Sequence, residues 1–266
     1  MYTFNYHRPT SLEEAHGLFQ ESEDGIYLAG GQTLIPTMKQ RLATPSDVID
    51  LARVEGLDGV DVSAGTVGIG AFTRHAEVAG NERIRSTSPA LAFLAECIGD
   101  PQVRNRGTLG GSLANSDPAA DYPAAVIGLG ATIHTSNRAI AADDFFQDLF
   151  ETALDPGEII TRVEFPVPDR AAYRKFAHPA SRYAVVGVLV ADFGGTLRVG
   201  ITGAGPCAFR GTALEQALEG NLDPAAIDGV EVPDAGFNSD LFAAADYRAH
   251  LVKVMARRAV EDLLRA

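Results

Sequence analysis

The chain has 266 residues, 46% of them hydrophobic, and a formal net charge of −13. That length accommodates one large domain or two modest ones, at roughly 100 to 200 residues per domain, and the composition is that of a globular chain able to bury a full core. So acidic a surface disfavours nucleic acid and anionic membranes as partners, and any phosphate bound here must be held by local groups.

Met1-Tyr2-Thr3-Phe4-Asn5-Tyr6 lacks the basic then apolar order of a signal peptide, and no run approaches the roughly 18 apolar residues of a membrane span. No membrane span and a cytoplasmic location are therefore expected. Ser11-Leu12-Glu13-Glu14 is a capping box, with Leu12, Ala15, Leu18 and Phe19 on one helical face behind it. Ile26 to Ala29 is a short apolar strand running straight into Gly30-Gly31, and Thr33 to Arg41 is expected to be a helix with Pro36 in its first turn. A strand, a glycine turn and a helix start aim unpaired N–H groups at an anion. The spacing is not GxGxxG, and no acidic residue follows at ribose-binding distance within a βαβ unit, so a Rossmann domain is disfavoured.

Asp47 to Leu51 and Gly65 to Gly70 are predicted strands. Thr73 is a candidate cap for a helix running through Val78, and Ser88-Pro89 opens a second helix with Leu91, Leu94, Ala95 and Ile98 facing inward. Cys97 and Cys207 are the only cysteines; two cannot ligate an iron–sulphur cluster, and they show no zinc spacing. Both are expected to act as small buried residues.

Residues 102 to 121, QVRNRGTLGGSLANSDPAAD, are the most distinctive stretch. Gly110-Gly111 sits among Thr108, Ser112, Asn115 and Ser116, with carboxylates at Asp117 and Asp121. Glycines let a backbone approach a ligand closely, and successive N–H groups form a concavity that suits an anion. The same residue types also make an ordinary turn. The second glycine pair at 30 and 31 tips the balance, because two such bends can grip a diphosphate from two sides. Asp121 has two readings, ligand acceptor or cap of a helix from Tyr122 to Leu129.

Ala131 to Thr135 and Glu158 to Pro166 are predicted strands, separated by an aromatic segment from Phe145 to Phe150. Phe165-Pro166-Val167-Pro168 marks the expected junction between a first domain, 1–168, and a second, 169–266. Val185 to Phe193, Gly194-Gly195 and Leu197 to Thr202 form a predicted hairpin, followed by helices from Thr212 to Glu219 and from about Ala244 to Leu264. Strands and helices alternate irregularly, which gives an α+β class.

The sequence resembles the FAD-binding, medium subunit of the molybdenum hydroxylases, a group that includes aerobic carbon monoxide dehydrogenase and the flavin domain of xanthine dehydrogenase. The resemblance rests on AGGQTLIP at 29–36 and TLGGSLANSDPAAD at 108–121, and extends through YHRPTSLEEA, DDFFQDLFETALDPGEII, YRKFAHPASRYAVVGV and DYRAHLVKVMARRAV. It implies a fold of the p-cresol methylhydroxylase type, with subdomains at about 1–53 and 54–168 clasping FAD and a smaller sheet-and-helix domain behind them. It further implies that Leu28, Ala29, Gly30, Gly31, Gln32, Thr33, Leu34 and Ile35 surround the diphosphate from one side and Thr108, Leu109, Gly110, Gly111 and Ser112 from the other. Asp121 would accept from a sugar or ribityl hydroxyl, while Ile98 and Ile160 would pack on apolar parts of the cofactor.

By the same resemblance Lys175 falls near the flavin, where a cation favours an anionic reduced ring, although a solvated surface lysine is the plainer alternative. Tyr183 would stack on the ring, unless it is simply a core tyrosine. The FAD is expected to be non-covalent, since none of the six histidines lies in either glycine bend. Molybdopterin and [2Fe-2S] clusters would reside in a large and a small partner subunit, in an assembly such as a dimer of heterotrimers. No side chain is nominated for proton transfer, because the chemistry belongs to the cofactor. A stand-alone FAD-dependent oxidoreductase and a nucleotide-binding module without a redox role are the competing readings.

Overall fold

The computed structural model describes residues 1–265. Three larger sheets follow one another along the chain, with a two-stranded one besides. The first is parallel: β1 (Asn5–His7) and β2 (Gly25–Leu28) both pair with β3 (Asp47–Asp50). Helix α1 (Leu12–Glu21) connects β1 to β2, and its start follows the sequence: Ser11 Oγ accepts from Glu14 N–H at 3.1 Å, while the Glu14 carboxylate reaches back one residue further than expected, to Thr10 N–H at 2.7 Å. Helix α2 (Leu34–Lys39) follows β2.

The second sheet is antiparallel, in the order β4 (Val60–Ser63), β5 (Thr66–Gly70), β10 (Ile160–Pro166), β6 (Thr132–Thr135), β7 (Ala139–Ala141). Between β5 and β6 the chain makes α3 (His75–Gly80), α4 (Glu82–Thr87), α5 (Pro89–Glu96), α6 (Pro101–Arg104), α7 (Leu109–Asn115) and α8 (Tyr122–Leu129). A short helix α9 (Ala142–Phe145) and the small hairpin β8 (Phe146–Asp148) and β9 (Glu151–Thr152) lead to β10. Thr73 does not cap α3: Arg74 takes the cap position, and the Thr73 hydroxyl instead bonds both backbone groups of Gly59, at 3.0 and 3.1 Å. A buried hydroxyl offered two backbone partners takes them in preference to a surface cap.

The third sheet is a meander, β11 (Arg170–Ala177), β12 (Ala184–Phe193), β13 (Thr196–Thr202) and β14 (Phe209–Arg210). Gly194 and Gly195 close the β12–β13 hairpin with φ of 66° and 96°, the positive values that a two-residue turn of this hand requires. Helices α10 (Thr212–Leu218) and α11 (Ala245–Leu263) cover one face. All eight residues of α8 are buried, because this helix lies between the other face and the core of the second sheet. Contact there is backbone to backbone: a Cβ at Gly200 would lie 2.1 Å from the Ala124 carbonyl oxygen. Among the described residues, no helix is long and apolar enough to cross a membrane.

Candidate cofactor site

The two glycine bends meet. A Cβ on Gly30 would stand 2.3 Å from the Arg106 carbonyl oxygen and 2.7 Å from Gly107 Cα, so only glycine lets the end of β2 press against the segment before α7. Gly31 adopts φ of 69°, which turns the chain into α2. Ile35 N–H donates to Gly31 O at 3.2 Å, but the N–H groups of Gly31, Gln32, Thr33 and Leu34 find no acceptor among the described residues. These are the first-turn amides that a helix cannot satisfy internally. Thr33 offers no side-chain cap, and it and Gln32 are exposed, so the donors remain available.

The second bend is built differently from the expectation. Gly110-Gly111 is the first turn of α7, not an open loop, because Thr108 caps it: its hydroxyl accepts from Gly111 N–H at 3.2 Å. The other amides are engaged as well, Leu109 to Thr73 O at 3.1 Å, Gly110 to Ala71 O at 2.7 Å and Ser112 to Thr108 O at 3.0 Å. The amides left free therefore lie on the first bend, and the second is distinguished by its close packing. A Cβ on Gly110 would meet Ala71 Cβ at 2.6 Å, and one on Gly111 would lie 3.5 Å from Ala29 Cβ. Ser112 keeps a half-buried hydroxyl with no hydrogen-bond partner among the described residues, while Leu109 is wholly buried and belongs to the core.

His75 supports this bend from behind. Its N–H donates to Gly107 O at 3.0 Å, and a Cβ on Gly107 would stand 2.5 Å from its Nε2. The ring packs 5.3 Å from that of Tyr122, its Nδ1 is buried without a partner, and burial, with Arg104 nearby, lowers its pKa to about 4. Nothing in the sequence marked His75, since its role depends on a contact across thirty residues.

A second group forms around Asp121. Its backbone is helical and its side chain makes no cap, so that reading fails. The buried carboxylate accepts instead from Tyr173 Oη at 2.6 Å and Lys175 Nζ at 2.9 Å. Lys175 is not a surface residue: its side chain is 6% exposed, and its ammonium also donates to Cys97 O at 2.8 Å and Arg182 O at 2.9 Å. Burial raises the Asp121 carboxyl above its usual range, against the Lys175 charge and the Tyr173 hydroxyl, which lower it. Tyr173 was missed, yet its signal is in the sequence: in a strand, positions 173 and 175 share a face.

Tyr183 is not a core tyrosine. It is 48% exposed and lines a cleft of about 380 Å³ with Asp117, His178, Ser181, Phe242 and Arg248. Burial of the phenol, then Asp117 and Asp121, raise its pKa. Ile98 is half-buried next to Cys97, and Ile160 is buried in the second sheet. The neighbouring Thr161 O accepts from Ala71 N–H at 2.9 Å, which links β10 to the same Ala71 that holds Gly110. The structure thus assembles the nominated residues into two groups, the paired bends and the Asp121–Lys175–Tyr183 cluster. Among the described residues, no group of three His, Cys, Asp or Glu is placed to hold a metal ion.

Residues 2–168 match the family described as the FAD binding domain in molybdopterin dehydrogenase. This chain belongs to the FAD-binding medium subunits of the molybdenum hydroxylases. This medium subunit is 36% identical to the carbon monoxide dehydrogenase medium chain of Afipia carboxidovorans over 97% of its own length and 96% of the relative's. It is 34% identical to the glyceraldehyde dehydrogenase medium chain of Sulfolobus acidocaldarius, over 98% of each. Its fold superposes on reconstituted CO dehydrogenase from Oligotropha carboxidovorans with a TM-score of 0.92, at 35% identity, covering 100% of this chain and 99% of the other. The medium subunit therefore has the p-cresol methylhydroxylase-type α+β fold.

Proposed function

We propose that this chain binds FAD non-covalently and acts as the electron-transfer subunit of a molybdenum hydroxylase complex. It would receive electrons from [2Fe-2S] clusters in a small partner subunit, with molybdopterin in a large one, and pass them to an external acceptor. The observation that carries the reading is the junction of the two bends, where close-packed glycines leave the Gly31 to Leu34 amides without internal partners. A diphosphate satisfies such donors, so the residues present fit the group. The cofactor, when bound, supplies the redox chemistry.

The chain's own residues would bind and orient. Gly31 to Leu34 would donate to the diphosphate, Thr108 to Ser112 would form the opposing wall, and Ser112 would add a hydroxyl. Asp121, whose carboxylate is already held by Tyr173 and Lys175, would keep lone pairs for one sugar or ribityl hydroxyl. Ile98 and Ile160 would limit the site on its apolar side, and Tyr183 would cover the flavin ring. With two cysteines, the chain cannot supply the four sulphur ligands of a [2Fe-2S] cluster, which supports cluster-bearing partners. The relatives' names point to different substrates, carbon monoxide and glyceraldehyde, as expected if substrate choice lies in another chain.

Purification of the native complex tests the proposal. A yellow preparation containing a small cysteine-rich chain and a large chain is the expected result. A yellow chain that purifies alone and oxidises a substrate would favour the stand-alone oxidoreductase, and a colourless one the binding module.

A further inference from the structure

Lys175 stands where three segments meet. Its three N–H donors have three acceptors: Cys97 O after α5, the Asp121 carboxylate at the start of α8, and Arg182 O in the loop between β11 and β12. The lysine and aspartate side chains are 6% and 4% exposed, so they form a buried pair whose opposite charges offset each other.

The loop, residues 178–183, is otherwise folded on itself. His178 N–H donates to Tyr183 O at 2.8 Å, Arg182 N–H to His178 O at 2.9 Å, and the Ala180 and Ser181 amides both donate to His178 Nδ1 at 3.2 Å. Among the described residues, the Lys175 bond is the one hydrogen bond that reaches this loop from outside. It lands on a strained residue. Arg182 has φ of 62°, a left-handed conformation that costs a non-glycine residue about 1 kcal/mol and persists only when its surroundings hold it. The Arg182 carbonyl belongs to the peptide that joins it to Tyr183. Fixing that carbonyl fixes the peptide plane that carries Tyr183 N and Cα, and the Tyr183 carbonyl is held in turn by His178 N–H at 2.8 Å, so little freedom is left in where the Tyr183 side chain leaves the backbone.

We propose that Lys175 is a positioning residue that acts on the flavin through the 182–183 peptide and Tyr183, not through its own charge. The proposal rests on the reading that Tyr183 covers the flavin ring, and its test separates the two.

Arg182–Tyr183 is a bond that trypsin recognises, so limited digestion of the full chain reads the clamp without reference to flavin. In Lys175→Met, cleavage there is expected to be about tenfold faster, as for loss of a hydrogen bond to a charged group, with the remaining Lys and Arg sites unchanged. An unchanged rate overturns the clamp, whether or not the protein carries FAD. Bound-flavin fluorescence reads the second step, because a stacked tyrosine quenches it. Lys175→Met and Tyr183→Leu are expected to raise emission equally, with no further rise in the double variant. A shift in flavin potential with wild-type emission, or effects that add, would show that Lys175 acts by charge. If Lys175→Met fails to fold because Asp121 is left unpaired, the Lys175→Met/Asp121→Asn pair removes both charges and carries the digestion readout, which does not depend on the flavin contact assigned to Asp121.

Discussion

Gly30 and Arg106 are the point of contact between the two glycine bends: an added Cβ at residue 30 would stand 2.3 Å from the Arg106 carbonyl oxygen. Backbone on both sides leaves no flexible atom to yield. Gly30→Ala is therefore expected to part the bends and lower the flavin-to-protein ratio about tenfold, with a stability loss of about 1–3 kcal/mol from overpacking. Absorbance of the purified variant measures the ratio. A full flavin complement would mean that the contact is not needed for binding.

Gly111→Val should also yield apoprotein, for a different reason. Its Cβ would lie 2.8 Å from Thr108 Oγ1, displacing the hydroxyl that caps α7, and would enter the space beside Ala29. Loss of such a cap costs about 1 kcal/mol, small enough for the variant to fold. Stoichiometric FAD in the folded variant would show that the second bend does not face the diphosphate.

His75 predicts an acid limb in the stability profile. Burial lowers its pKa to about 4, so the unfolded chain, where the group titrates near 6.5, binds the extra proton first as pH falls. Its contribution is complete above pH 6.5 and is lost as pH falls towards 4, amounting to about 3 kcal/mol. His75→Phe should flatten the denaturant midpoint over that interval. An equal slope in the variant would assign the acid sensitivity to other groups.

Acid precipitation of the wild-type complex is expected to release all of its flavin into the supernatant, since neither bend contains a histidine to link it. Yellow colour retained in the washed pellet would instead indicate a covalent bond.

Gly200→Ala should be among the most damaging single-methyl changes in the chain. The new Cβ would fall 2.1 Å from Ala124 O and 2.5 Å from Gly128 N, driving α8 off the third sheet. A loss of about 3 kcal/mol or more in chemical denaturation is expected, at the upper end of overpacking costs. A wild-type midpoint would show that α8 can shift without cost.

The elements that local rules specify were legible along the chain. Ser11 caps α1, Gly194-Gly195 closes its hairpin, and the apolar Tyr122–Leu129 run forms the buried α8, because each depends on residues within a few positions of one another. The α+β class and the two glycine motifs followed from the same local information. Short elements such as β1 and β11 were not marked, since three-residue strands carry little pattern and β11 mixes charges with aromatics on both faces.

Tertiary structure alone decided what those motifs do. The sequence places Gly30 and Arg106 seventy-six positions apart, and only folding brings their backbones together. It shows Gly110-Gly111 but not that Thr108, Ala71 and Thr73 already occupy the nearby amides, which leaves the free donors on the first bend. It leaves Asp121 between a cap and a ligand acceptor, and Lys175 between a flavin neighbour and a surface charge, whereas the fold buries both and joins them. A buried carboxylate and a buried ammonium exclude water from each other and must be paired, and which partner each finds is settled by packing, not by spacing along the chain.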